Sequence, residues 1–288
     1  MKIFFGFIAL LMIGFGSVNV LYIWGLSYID WDFSKTKEAY HFHSQEYKTI
    51  VFGNSMALDG INTEILSERF GPAYNFSVGG ASLETNYIQF KKYLGVNRNP
   101  DRVLLFLSSC HMNYNKAYEI NPIVEYYYSD ISIGKLTELP LFKFRWLFIE
   151  NIKKLLSNEH RSARVVAGQL QINKKIPDTS MKNLSNCSEG MDYSGSGYQF
   201  VRKFYEECKK ANIDLYIFEM PCWNKFQNQY VDGAMDLDST QIKIGNFNNY
   251  VWCDSVLNPK TDWLSENHLN FNGSLKLTQE IVRLLSVE

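Results

Sequence analysis

An apolar segment near the start of the chain, from Ile3 to Ile29, contains no charged side chain. At about 1.5 Å of rise per residue, a helix of this length crosses a hydrocarbon core of about 30 Å. Lys2 precedes the segment, and Asp30 and Asp32 follow it, so the charge bias predicts a cytoplasmic N-terminus and an exported remainder. A cleaved signal peptide is the alternative, but the run is long and lacks a small-x-small cleavage motif, which favours a retained anchor.

The composition allows a folded exported domain and excludes one class of partner. The 288 residues are 46% hydrophobic and 20% charged, which is enough apolar material for a sizeable core. Formal net charge is −1 and the basic residues are scattered, so no nucleic-acid surface is predicted. The five cysteines form no C-x-x-C pair, and His41-x-His43 has no third ligand nearby, so no metal site is predicted.

Beyond residue 46, short apolar runs alternate with segments of helical periodicity. The runs that we predict to be buried strands are residues 48–53, 73–78, 102–107, 213–218 and 249–254. Parallel strands need a crossover connection, and a helix usually supplies it. The alternation therefore predicts an α/β fold with a parallel sheet and helices on both faces.

The pattern divides the chain into three predicted parts. Residues 1–29 form the transmembrane anchor, residues 30–45 are a polar tether, and residues 46–288 form the α/β domain. The strand and helix alternation lapses between about residues 114 and 190, which indicates an insertion in that domain. This insertion is rich in aromatic residues, which favours buried packing or a surface that stacks on rings.

Polar residues of catalytic type follow the predicted strands. Ser55 follows the first strand, the pair Gly79–Gly80 follows the second, and His268 lies just ahead of the last helix. Because the carboxyl ends of parallel strands meet at one edge, Ser55 could act as a nucleophile with His268 as its base. Each feature also has a structural interpretation: a helix cap for the serine, a turn for the glycines and a solvated loop for the histidine.

Three sequence blocks carry a family resemblance: VFGNSMALDGINTEIL (51–66), YNFSVGGAS (74–82) and ENHLNFNG (266–273). They resemble the SGNH (GDSL) hydrolase superfamily over residues 46–110 and 195–288. The closest in style is the membrane-anchored, cell-surface branch with the alginate acetylation proteins and the D-alanyl-transfer protein of teichoic acid. The resemblance implies a three-layer sandwich around a five-stranded parallel sheet, and it implies no cofactor.

The resemblance also assigns roles to residues. It implies that Ser55 is the nucleophile, that His268 is the base, and that the N–H groups of Ser55 and Gly80 belong to the oxyanion hole. Two positions depart from the family pattern. Cys110 stands where the family has an oxyanion-binding asparagine, for which Asn113 is a candidate substitute. Ser265 stands where the family has the aspartate that orients the histidine, for which Asp262 or Glu266 is a candidate substitute.

These features lead to three functional hypotheses. The first is an extracytoplasmic serine esterase or acyltransferase that acts on O-acyl groups, acetyl in particular, of a cell-envelope polysaccharide or an acylated small substrate. The second is a catalytically degenerate protein of the same fold that binds glycan or assembles with envelope proteins. The third makes the insertion a protein-docking surface without catalysis. The first is favoured because serine, glycine and histidine occur together in the family order.

Overall fold

The computed structural model describes residues 2–108, 119–128, 139–147, 163–173, 197–222, 234–237, 240–246, 255–258, 260–265 and 267–286. The helices are α1 (Lys2–Ile29), α2 (Trp31–Tyr40), α3 (Ser55–Gly60), α4 (Thr63–Phe70), α5 (Leu83–Val96), α6 (Pro122–Tyr128), α7 (Pro140–Lys143), α8 (Tyr198–Ala211) and α9 (Phe271–Leu285). The strands are β1 (Thr49–Phe52), β2 (Ala73–Asn75), β3 (Arg102–Leu107), β4 (Ala163–Val166), β5 (Gln169–Ile172), β6 (Asp214–Glu219), β7 (Ala234–Leu237), β8 (Thr240–Asn246), β9 (Trp263–Ser265) and β10 (His268–Leu269).

These elements form two compact units. The first combines residues 1–40 with 122–161, and the second combines residues 41–121 with 162–288. The predicted insertion is thus divided between the two units, with boundaries near residues 121 and 161. The division into anchor, tether and α/β domain stays a prediction, and the segment assigned as a tether contains helix α2.

The second unit is built on a sheet with the strand order β2-β1-β3-β6-β8-β7. Strands β2, β1, β3 and β6 are all parallel, which confirms the α/β class and four of the predicted strands. Strand β8 extends the sheet parallel to β6, and β7 pairs with β8 in the antiparallel direction. The fifth predicted strand, 249–254, lies outside the described residues.

Both faces of the central strands are buried, as the continuous apolar runs predict. Val51 and Phe52 are neighbours in β1, and both are fully buried because successive strand side chains point to opposite faces. Val51 belongs to a cluster that includes Leu277 of α9. The ring of Phe52 contacts Phe90 of α5 and Phe204 of α8, with ring centroids 5.6 and 5.5 Å apart. Helices therefore cover the sheet on each side of β1.

A short hairpin, β4–β5, lies at the edge of this sheet. The carbonyl of Ala167 in its turn accepts a hydrogen bond from the N–H of Asn75 at the end of β2. Gly168 has φ +81°, and a Cβ there would collide with the Asn75 carbonyl, so the turn requires glycine. Buried Gln169 donates to the hydroxyl of Ser274 in α9. The hairpin is therefore an integral part of the second unit.

The first unit contains the apolar N-terminal helix. Its segment Ile3–Ile29, with a mean hydropathy of 2.2, is long and apolar enough to cross a membrane, and a signal sequence would meet the same criteria. In the part of the chain that the structure describes, no other helix does so. Two aromatic residues of the insertion pack in this unit: Phe33 of α2 makes edge-to-face contacts with Tyr127 and Phe144, both at 5.4 Å. Packing therefore accounts for these two rings.

Candidate functional site

The turn after β1 fixes the position of Ser55. A Cβ on Gly53 would lie 2.5 Å from the Cβ of Ala57 and 3.2 Å from that of Phe106, so only glycine allows this close approach. Asn54 then caps α3, because its Oδ1 accepts a hydrogen bond from the N–H of Met56 at 3.0 Å. Ser55 is therefore the first residue of α3, directly beyond the carboxyl end of the strand.

Asn54 also joins two strand ends. Its Nδ2 donates to the hydroxyl of Ser108 at 2.8 Å, and Ser108 follows the last residue of β3. Since β1 and β3 are adjacent and parallel, this bond spans the edge at which their polar loops begin. The turn at residues 53–55 is thus fixed by two interactions of Asn54, the helix cap and the hydrogen bond to the loop after β3.

The histidine segment reaches the same edge of the sheet. His268 begins β10 and lies opposite Ser265 in the antiparallel pairing with β9. Trp263 and Leu269, which are 2% and 1% exposed, anchor this hairpin in the apolar core beside α9. The Nε2 of His268 lies 2.9 Å from the Oγ of Ser55. The structure thus brings together the two residues that the sequence predicted as nucleophile and base.

The environment of His268 favours a neutral imidazole. Burial lowers the pKa of His268 from its usual value near 6.5, because the charged form loses hydration. A neutral imidazole has one nitrogen that accepts a proton and one that carries it. The identity of the accepting nitrogen then decides whether the ring can act as a base toward Ser55.

The other ring nitrogen of His268 forms a hydrogen bond with a hydroxyl group. The Nδ1 of His268 lies 2.9 Å from the Oγ of Ser265, and that hydroxyl donates to the Oδ1 of Asn267 at 3.1 Å. A hydroxyl has a single proton, so Ser265 accepts a hydrogen bond from Nδ1–H while it donates to Asn267. This arrangement places the lone pair of Nε2 on the side of Ser55. The pair Ser265 and Asn267 therefore selects the tautomer that a general base requires.

Asp262 does not supply the orienting carboxylate, which corrects one of the two candidate assignments. It is 1% exposed, and its oxygens accept hydrogen bonds from Asn258 N–H at 2.6 Å, Thr261 Oγ at 2.8 Å and Lys276 Nζ at 2.6 Å. These three bonds hold the carboxylate beside α9. The hydrogen-bond partner of His268 Nδ1 is Ser265 instead. Glu266, the other candidate, lies outside the described residues.

The glycine pair forms an exposed turn after β2. Gly80 has φ +64°, and a Cβ at this position would meet no atom within 4 Å, so its backbone is open to a ligand. The carbonyl of Gly79 accepts a hydrogen bond from the Asn121 side chain at 2.7 Å, which fixes the orientation of the turn. The N–H of Ser55, in the first turn of α3, has no acceptor within the helix. Cys110 and Asn113 lie outside the described residues.

Cys208 is unsuited as an alternative nucleophile, and no metal centre competes with this site in the described part of the chain. Cys208 is 1% exposed, and burial raises the pKa of its thiol to about 12, which keeps it protonated at neutral pH. No group of three or more His, Cys, Asp or Glu side chains converges in a way that could hold a metal ion among the described residues.

Sequence reasoning missed the roles of Ser265 and Asn267. The sequence indicates the position of Ser265, three residues before His268, but not that its hydroxyl bonds the ring; the β9–β10 register places that hydroxyl directly beside the imidazole. Asn267 has no comparable signal, because its contact depends on the irregular pairing of the hairpin.

Comparisons with known proteins give little further information. No family model and no curated protein matches the chain. Among solved structures, the chain is similar to a protein from Streptococcus pneumonia provisionally named a platelet activating factor. That similarity covers 93% of this chain and 98% of the other, with 13% identity and a TM-score of 0.33. At these values it carries no inference about activity.

Proposed function

We propose that this protein is an extracytoplasmic serine esterase or acyltransferase of the SGNH type, acting on O-acyl groups of a cell-envelope polysaccharide. The acetyl group is the favoured acyl group. The observation that carries the proposal is the 2.9 Å contact between Ser55 Oγ and His268 Nε2, with Ser265 on the other ring nitrogen. The three-layer sandwich with a five-stranded parallel sheet is part of the same proposal.

The chemistry follows from the proton positions at the site. His268 Nε2 takes the proton of Ser55 as Oγ attacks the carbonyl carbon of the ester. The developing oxyanion accepts hydrogen bonds from the N–H groups of Ser55 and Gly80. The tetrahedral adduct then expels the sugar oxygen, which takes the proton from Nε2 and leaves an acyl group on Ser55. Water or a second hydroxyl repeats these steps in reverse to release the acyl group.

The neutral partner of His268 affects the rate. In a serine–histidine–aspartate triad, the carboxylate both orients the imidazole and stabilises the imidazolium that forms during attack. Ser265 provides orientation through its hydrogen bond, but it carries no negative charge to stabilise the cation. We therefore expect slower turnover than in an enzyme with a complete triad.

The membrane location is a further part of the proposal. Helix α1 is of spanning length, Lys2 precedes its apolar segment, and Asp30 and Asp32 follow. The resulting orientation places the N-terminus in the cytoplasm and the second unit outside the cytoplasmic membrane. An esterase held at the membrane surface would encounter envelope glycans as substrates, and envelope-assembly proteins are candidate partners. The proposed chemistry needs no cofactor.

The test measures hydrolysis of a chromogenic acetyl ester by the full chain in detergent. We expect the wild type to exceed the buffer rate and Ser55→Ala to fall to it. Ser286→Ala, which changes an exposed serine at the end of α9, is the matched control and should retain the wild-type rate. A serine-directed phosphonate should form an adduct at Ser55 alone. Equal rates for wild type and Ser55→Ala, with no adduct, would reject the catalytic proposal.

A non-catalytic alternative is favoured by one observation. Within the described residues, the imidazole of His268 has a hydroxyl partner in place of a carboxylate, as expected of a site that retains shape without strong catalysis. In this alternative, the protein binds acylated glycan or assembles with envelope proteins. It predicts that wild type and Ser55→Ala bind acetylated glycan equally well and that neither reacts with the phosphonate.

A further inference from the structure

A cavity of about 400 Å³ lies within the first unit, against one side of α1. The helix contributes Phe15, Gly16, Asn19 and Val20 to its wall, and the segment after α6 contributes Leu139 and Pro140. The full range of α1 residues that line it, 12–23, extends for about 17 Å along the helix axis. The cavity is therefore long and narrow.

The side-chain amide that lines this cavity, that of Asn19, is already bonded within the protein. The amide of Asn19 donates to the Phe15 carbonyl at 3.0 Å and accepts from the N–H of Leu141 at 3.0 Å. Nearby, the hydroxyl of Tyr22 donates to the Phe144 carbonyl at 2.6 Å. With these groups paired, the wall presents mainly carbon atoms, which a hydrocarbon ligand satisfies better than water does.

The depth of the cavity in the bilayer follows from the aromatic residues at the end of α1. Trp24 and Tyr28 are 58% and 73% exposed, as expected of side chains at a membrane–water interface. If that interface is the exported one, as the proposed function has it, the hydrocarbon core covers about twenty preceding residues. The lining residues 12–23 then lie in the exported half of the core. Phe142, whose ring centroid lies 6.1 Å from that of Phe15 in α1, is also exposed, at 37%.

We propose that this cavity binds one hydrocarbon chain of a membrane lipid. Its dimensions do not admit a whole transmembrane helix, and a helix packed across its mouth is the alternative that the crosslinking outcome below detects. Even the whole space between the walls, about 790 Å³ with the open mouth included, gives a mean cross-section of about 46 Å² over 17 Å. A helix of about 10–12 Å diameter has a cross-section of roughly 80–110 Å². A single methylene chain fits this narrow shape.

The inference rests on the membrane location in the proposed function, and its test separates the two. The full chain is placed in nanodiscs that contain a phosphatidylglycerol with a photoreactive diazirine on one acyl chain, and adducts are mapped by mass spectrometry. We expect adducts to concentrate on residues 12–23 and 139–141. Gly16→Leu should reduce them at least about fivefold, because its side chain would enter the cavity.

The matched control is Gly6→Leu, on the same helix but outside the cavity. A Cβ meets no atom within 4 Å at either glycine, so neither substitution forces a clash. Gly6→Leu should leave labelling at residues 12–23 unchanged. Even labelling along the whole of α1, or labelling that survives Gly16→Leu, would overturn the inference, as would crosslinks to a second chain at these residues. Retention of the protein in carbonate-washed membranes tests the membrane location, and the ester assay tests the catalytic activity. Both parts of the proposed function are therefore measured independently of the lipid labelling.

Discussion

The two segments that meet at the candidate site are built in different ways. The nucleophile segment, residues 53–60, is positioned by backbone packing, because Gly53 touches Ala57 and Phe106 and Asn54 closes the helix end. The histidine segment is anchored in the core by Trp263 and Leu269, but the ring of His268 is oriented by side-chain hydrogen bonds through Ser265 and Asn267. The nucleophile segment should therefore tolerate little change in volume, whereas polar substitutions beside His268 should alter the catalytic rate.

The largest effect is expected from removal of the base. His268→Ala should lower kcat/KM for an acetyl ester on the order of 10,000-fold, because Ser55 then lacks a proton acceptor. The matched control is His43→Ala, which removes an exposed imidazole from the same unit and should leave the rate unchanged. A small loss for His268→Ala, similar to that of the control, would contradict the role of this ring.

Removal of the orienting hydroxyl should have an intermediate effect. Ser265→Ala deletes one neutral hydrogen bond to Nδ1, which contributes about 1–1.5 kcal/mol and corresponds to roughly a tenfold loss in kcat. The KM should stay within about twofold, since the hydroxyl is bonded to His268 and Asn267. A change confined to KM would instead assign Ser265 to substrate binding. Ser265→Thr, which keeps the hydroxyl, is the conservative control.

A carboxylate at the same position should act in the opposite direction. Ser265→Asp adds a negative charge beside Nδ1, which stabilises the imidazolium and should raise kcat several-fold. The same charge should raise the pKa of His268, since it favours the protonated form. The acid limb of the kcat/KM profile should therefore move to higher pH than in the wild type. An acid limb at the wild-type pH would show that the introduced carboxylate does not interact with the imidazole of His268.

The wild-type pH profile should itself reflect burial. Because burial lowers the pKa of His268, the neutral form that accepts the proton persists below the usual histidine pKa of about 6.5. We expect the midpoint of the acid limb of the kcat/KM profile to lie below about pH 6.5. An acid limb centred above about pH 7 would contradict a buried, carboxylate-free imidazole.

The smallest effect on rate is expected at Asp262. Asp262→Asn should leave kcat within about twofold of wild type, because this carboxylate bonds to Lys276 and to the 258–261 turn. The free energy of unfolding should fall by about 2 kcal/mol, since a buried charged acceptor is lost. Denaturant unfolding and ester kinetics on the same sample separate the two effects. A loss of kcat as large as that of Ser265→Ala would restore Asp262 as the orienting acid.

The predictability of the two segments differs for a physical reason. The nucleophile turn could be read from sequence, because a buried strand followed by Gly53, Asn54 and Ser55 satisfies local rules of packing and capping. The partner of His268 could not, since Ser265 and Asp262 lie three residues apart and both carry suitable oxygen atoms. Only the register of β9 with β10 and the position of Lys276 decide between them.

The fold shows the same division between local and long-range information. The strands β1 and β3 are apolar runs that bury both faces, and β2 and β6 hold enough apolar residues to be recognised, so the local sequence pattern is sufficient for these four. Strands β7 and β8 were not predicted, because "AMDL" and "TQIKIGN" mix polar and apolar residues and gain their pairing from the sheet edge. The hairpin β4–β5 likewise falls within the predicted insertion, although the Ala167 carbonyl in its turn accepts a hydrogen bond from the N–H of Asn75 in β2.

That hairpin turn has a consequence for behaviour at high concentration. An edge strand with free N–H groups can recruit a strand from another molecule, which leads to aggregation or domain swapping. By accepting the hydrogen bond of Asn75, the Ala167 carbonyl removes one such donor at the end of the β2 edge. Colloidal stability of the second unit therefore depends in part on a two-residue turn far along the chain from the strand it protects.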